Sequence, residues 1–80
     1  MDVKLRVDNL AQETTDISLQ KIFGQYGQVL HSLVMLDRDT GQSRGFGFVT
    51  MTDQREADRA IEGLDGTELD GQQITVKLTR

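Results

Sequence analysis

Eighty residues, 36% of them hydrophobic, can form one small domain that buries about 60–65% of the surface its unfolded chain exposes. The absence of cysteine excludes a disulfide framework and a thiolate metal centre, and no apolar run has the length of a membrane span or the shape of a signal peptide. An intracellular setting is expected, cytoplasmic with a nuclear one left open, and the net charge of −4 speaks at first sight against a nucleic-acid partner.

Val3, Leu5 and Val7 alternate with Lys4, Arg6 and Asp8, the pattern of a half-buried strand. After a polar loop, Thr15 is a suitable N-cap for a helix whose apolar face comprises Ile17, Leu19, Ile22, Phe23 and Tyr26. Gly27 is expected to end that helix in the left-handed conformation. Val29–Leu36 predicts a second strand, Asp37–Gln42 a turn-rich loop, and Gly45–Met51 a third strand. Asp53, with Glu56 three residues on, predicts a capping box for a second helix. Ala57, Ala60, Ile61 and Leu64 form its apolar face, and Gly63 marks its end. Asp65-Gly66 and Asp70-Gly71 signal turns around a short ribbon. A last strand, Gln73–Leu78, directs Ile74, Val76 and Leu78 inward. The order β-α-β-β-α-β is an α+β, ferredoxin-like arrangement: a four-stranded antiparallel sheet with two helices on one face and the other face open.

Two of the three phenylalanines, Phe46 and Phe48, sit at alternate positions of the third strand. Alternate strand residues share a face, so the two rings project together. Gly45 and Gly47 leave nothing to pack beside them, which places the rings for contact, with Arg44 adjacent. Rings next to a cation suit stacking on bases and pairing with phosphate. Eighty residues leave no third layer to cover them.

Arg44-Gly45-Phe46-Gly47-Phe48-Val49-Thr50-Met51 resembles the RNP1 pattern of the RNA recognition motif family, and Leu5-Arg6-Val7-Asp8-Asn9-Leu10 resembles its RNP2 pattern. Asp37-Arg38-Asp39-Thr40-Gly41 and Leu69-Asp70-Gly71 are also similar to segments common in such domains. The resemblance extends over essentially the whole of residues 1–80, which are expected to be a single domain of this type. The Phe-Val-Thr-Met ending of RNP1 is similar to that of the family's small lone-domain bacterial members. The resemblance implies that Phe48 stacks a base and that Phe46 packs against sugar or a second base. It also exposes two departures. Arg6 stands where RNP2 usually has an aromatic, and Met51 where RNP1 usually ends in one. Met51 faces the helices by alternation, whereas Arg6 removes one of three stacking rings and implies modest affinity. A planar guanidinium can still stack.

Alternation then assigns the open face to Lys4, Arg6, Leu33, Met35, Phe46, Phe48, Thr50, Thr75 and Lys77, with Arg44 at its margin and Arg38 and Arg80 able to reach its edges. Of nine Lys and Arg residues, only Lys21, Arg55 and Arg59 fall on helices, while the acid gathers there and in the ribbon. The expected RNA-binding residues are therefore Lys4, Arg6, Leu33, Met35, Arg38, Arg44, Phe46, Phe48, Thr75, Lys77 and Arg80, for single-stranded RNA or, as a variant, single-stranded DNA. With a negative total charge, few phosphate contacts and a shallow salt dependence are expected.

Two rival functions use the same residues. The apolar patch of Leu33, Met35 and the rings could dock a protein or a second copy. A cold-shock-like barrel shares the Gly-Phe-Gly-Phe signature but is nearly all β. No enzyme is indicated. Asp37, Asp39 and Gly41 lack the glycine and glutamate spacing of a calcium loop, and Gly45 and Gly47 lack the third glycine of a dinucleotide loop. His31 suggests an edge role, Ser18 and Ser32 have no positioned base, and no cofactor or metal is expected.

Overall fold

A computed structural model describes residues 1–79. The elements are β1 (Val3–Asp8), α1 (Asp16–Gly24), β2 (Val29–Leu36), β3 (Ser43–Met51), α2 (Gln54–Leu64), β4 (Glu68–Leu69), β5 (Gln72–Gln73) and β6 (Thr75–Leu78). They form a four-stranded antiparallel sheet in the order β2-β3-β1-β6 and a two-stranded ribbon of β4 and β5. Asp70 and Gly71 both take positive φ between the ribbon strands, as the Asp-Gly signal requires for a two-residue hairpin turn.

One parity of each strand makes the core. Leu5 and Val7, Val49 and Met51, and Val76 are buried, and they pack with Leu19 and Phe23 of α1 and Ala57, Ala60 and Leu64 of α2. Both helices therefore cover the same face of the sheet, and the aromatic-bearing face is left open. In β2, register shifts at Leu30 and past Val34 let Val29 and Val34 both turn toward the core, which strict alternation forbids.

The N-terminus of α1 follows the expected chemistry and adds to it. The Thr15 hydroxyl accepts from Ser18 N–H (3.2 Å) and the Ser18 hydroxyl accepts from Thr15 N–H (2.9 Å), a reciprocal box with serine in the return position. At α2 only half the expected box exists. Asp53 accepts from Glu56 N–H at 2.8 Å, but the Glu56 carboxylate turns away to accept from Gln28 N–H (3.1 Å) and from the Thr52 hydroxyl (2.8 Å).

That diversion of Glu56 explains a misplaced helix end. Gly27 is not left-handed: α1 stops at Gly24, and Gln25 follows in right-handed geometry (φ −69°, ψ −19°). A Cβ on Gly27 would collide with the Glu56 side chain, so glycine serves there as room for a long-range contact. Gly63 likewise does not terminate α2. It lies inside the last turn, where a Cβ would run into the Tyr26 ring. Two hydrophobic assignments also change. Ile17 is 65% exposed rather than core-facing, and Leu78, at the end of an outer strand, is 39% exposed rather than inward. β3 begins two residues earlier than expected, at Ser43.

Both outer strands have a backbone donor taken by a carboxylate. Asp16 accepts from Val34 N–H on β2 (2.6 Å), and Asp65 accepts from Val76 N–H on β6 (2.9 Å). At those two positions the edge has no free donor to offer a further strand.

Candidate functional site

Strand register arranges the open face in rows. Lys77, Arg6, Phe48 and Leu33 stand side by side across β6, β1, β3 and β2. The next row contains Thr75, Asp8 and Phe46, and the row on the other side contains Lys4, Thr50 and His31. The two rings meet edge to face, with centroids 6.0 Å apart and planes at 89°. Both are half-buried from below and open above.

Each ring has cationic cover. The Arg6 guanidinium lies 4.3 Å from the Phe46 centroid and 5.9 Å from that of Phe48. Arg44 lies 5.2 Å from Phe46, and the Lys4 ammonium 4.7 Å from Phe48. Such contacts are worth about 0.5–1 kcal/mol at exposed sites, so an incoming base can displace them. A cation lifted off a ring is then beside whatever phosphate accompanies that base.

The two glycines that flank Phe46 have backbone work of their own. Gly45 has φ +86°, a conformation costly for any residue with a Cβ, and its carbonyl accepts from Leu10 N–H at 2.8 Å beyond the end of β1. Gly47 lies where a Cβ would strike the Leu33 carbonyl and come within 3.1 Å of Val34 Cα on β2. The spacing that brings the rings together is thus also the spacing that lets β2 approach β3.

The other expected residues divide. Lys4, Thr75 and Lys77 are exposed on the face, and Leu33 is 49% exposed there. Met35 follows as a half-buried residue at the register shift of β2. Arg38 is exposed on the β2–β3 loop and takes no part in the cation–ring contacts of the described residues. Arg80 lies outside the described residues.

Asp37, next to Arg38 in the chain, shapes the loop that carries it. The carboxylate accepts from Thr40 N–H (3.0 Å) and Asp39 N–H (2.8 Å), and these two donors hold it below the usual carboxylate range. A depressed folded-state pKa means that the loop's contribution is present above the ordinary aspartate pKa and is lost as pH falls through the lower folded value. The amide signals of Thr40 and Asp39 are therefore expected to follow the Asp37 carboxylate and titrate below the ordinary aspartate pKa. A midpoint equal to or above that ordinary value would contradict the double hydrogen bond.

Two residues of the face were left out of the expected site although alternation already contained them. His31, two positions before Leu33, lines a shallow hollow with Lys4, Ser32, Leu33, Phe48 and Thr50. Asp8, two positions after Arg6, pairs with it: Arg6 Nε donates to the two carboxylate oxygens at 2.9 and 3.1 Å. This corrects the expected separation of charge. The acids of α1 and α2 do lie behind the sheet, but Asp8 stands on its open face among the cations.

Comparison with known proteins agrees with the architecture. The RNA recognition motif family model matches residues 5–75. The chain is 53% identical over 78 residues to glycine-rich RNA-binding protein 1 of Mycosarcoma maydis, covering 98% of this chain and 45% of that protein. It is 51% identical over 77 residues to glycine-rich RNA-binding protein 7 of Arabidopsis thaliana, covering 94% and 44%. The chain thus spans about half the length of the curated relatives it matches. Among solved structures, RNA binding protein PG1 superimposes with a TM-score of 0.93 at 42% identity, covering 96% of this chain and 93% of that one. The Sxl-lethal protein in its RNA complex superimposes with a TM-score of 0.90 at 35% identity, covering 96% and 47%. With sheet order, open aromatic face and family match in agreement, this chain is a member of the RNA recognition motif family.

Proposed function

We propose that this domain binds single-stranded RNA across the open face of its sheet, as a binding module and not as an enzyme. One observation carries the reading: two aromatic rings stand in edge contact on the sheet face that the helices do not cover, each beneath a displaceable cation. Phe48 and Phe46 serve as base platforms. Lys4, Arg44, Lys77 and, from its loop, Arg38 serve phosphate, with Arg80 as a further candidate at the chain's last position. Leu33, Met35 and Thr75 line the track. The names of the relatives, RNA-binding proteins in two kingdoms of organism, support the same conclusion. Arg6 at the position of a customary ring and a net charge of −4 keep the affinity modest.

Titration with a random single-stranded RNA pool, followed by amide shifts, tests this. Shifts are expected at Lys4, Arg6, Leu33, Phe46 and Phe48, and the log–log salt slope is expected near −2 to −3, at about 0.7 per phosphate for a few phosphates. DNA of matched sequence should bind more weakly if the 2′-hydroxyl is contacted. No response to RNA at low salt, with concentration-dependent shifts at Leu33 and Met35 instead, would replace RNA binding by self-association.

A further inference from the structure

The least ordinary feature of the open face is the Arg6–Asp8 pair. A single strand places the two residues on one face, and their partners across β3 are Phe48 and Phe46. Arg6 does not lie over its direct neighbour. It reaches diagonally to Phe46, the partner of Asp8, with the guanidinium 4.3 Å from that ring's centroid. Diagonal neighbours on a sheet are within reach of a long side chain, and the Asp8 carboxylate explains why this diagonal is chosen. Both carboxylate oxygens engage Nε, leaving the two terminal amino groups without a protein acceptor among the described residues. Side-chain exposure of 39% for Arg6 and 29% for Asp8 leaves the pair accessible yet partly shielded.

Three consequences follow from that geometry. The guanidinium is anchored at Nε by both oxygens of the Asp8 carboxylate, which sets the direction in which its free edge points. Its charge is already balanced by Asp8, which makes it a poorer phosphate clamp than Lys4, Arg44 or Lys77. Its free edge presents parallel N–H donors, which match two adjacent acceptors in one plane. Guanine offers such a pair in O6 and N7, on a purine large enough to stack on a neighbouring ring. Adenine replaces one of those acceptors with a donor, and uracil has no adjacent pair.

We propose that Asp8 is a positioning residue that holds Arg6 as a guanine reader beside the Phe48 platform. This rests on the RNA-binding reading of the open face. It turns the missing ring of that face into a source of base preference.

The experiment compares four uridine-rich pentamers that differ only at the central base. Guanine at the centre should bind about 5- to 150-fold more tightly than adenine or uracil, the discrimination expected of one bidentate arginine contact. Arg6→Lys keeps the charge but loses the fork, and it should abolish that preference. Asp8→Ala releases the guanidinium, so the guanine preference should fall toward parity while the all-uridine pentamer binds more tightly with a steeper salt slope. A purely structural role for Asp8 would weaken all four pentamers alike. Equal binding of all four bases by the unaltered domain, a preference for cytosine, or a guanine preference that survives both substitutions overturns the proposal while leaving RNA binding intact. If no pentamer binds, the RNA-binding reading fails with it. Should Asp8→Ala not fold, Asp8→Asn takes its place, because it keeps the shape of the side chain and removes the charge that holds Arg6 Nε.

Discussion

Replacing Phe48 by alanine is expected to weaken binding of single-stranded RNA by about 1–3 kcal/mol, the cost of one lost base platform. The ring occupies the centre of the open face, between Arg6 on β1 and Leu33 on β2, so no neighbouring side chain can substitute for it. Stability should fall much less. Phe48 is half-buried and lies on the opposite side of the sheet from Val49 and Met51, both fully buried. Its packing loss consists mainly of the edge contact with Phe46 and the cover of Lys4, about 0.5–1.5 kcal/mol for a ring pair of this kind. Fluorescence anisotropy with a labelled oligonucleotide and a thermal melt on the same preparation separate the two effects. A variant that melts far below the unaltered domain would show that the ring belongs to the core.

Gly47→Ala should have the converse signature, a fold strongly destabilised. The added Cβ meets backbone, the Leu33 carbonyl and Val34 Cα, which cannot rotate away as a flexible side chain could. Overpacking of this kind costs about 1–3 kcal/mol, and in a domain of this size each kcal/mol lowers the melting temperature by about 4–8 °C. β2 must shift outward, breaking the register that sets Leu33 beside Phe48. Gly45→Ala is the informative comparison, since the nearest neighbour of its added Cβ would be the Leu10 carbonyl at 3.9 Å and only its φ of +86° resists a side chain. Loss of the β2–β3 cross-strand contacts should therefore accompany Gly47→Ala alone. Unchanged melting of Gly47→Ala would refute the close-approach account.

Features governed by periodicity could be read directly. Leu5 and Val7 against Lys4 and Arg6 separate the faces of β1, and the same alternation in β3 places Phe46 and Phe48 together above Val49 and Met51. Caps with partners three residues away were also accessible, since Thr15 and Asp53 both accept the donors their positions predict. Features governed by distant partners were not. Glu56 bonds across 28 positions to Gln28, which is why it leaves the capping box and why Gly27 has no side chain. Tyr26 against Gly63 is a second contact of this kind. Ile17 and Leu78 have the right hydropathy but sit where the opposing layer does not cover them.

The candidate site shows the same division within a few ångströms. Arg6 and Asp8 could be placed on one face by their spacing alone, but that spacing does not say whether they pair, or over which ring. The answer comes from cross-strand register, which sets Asp8 opposite Phe46 and so draws the guanidinium diagonally onto that ring. By itself the sequence determined the order of elements, the two-layer architecture and the identity of the open face, because each follows from a pattern repeated every two or every 3.6 residues. The tertiary structure alone decided which donor each carboxylate accepts from, which glycines make room for a neighbour, and over which ring the Arg6 guanidinium lies. Those depend on atoms that only packing and register bring into contact.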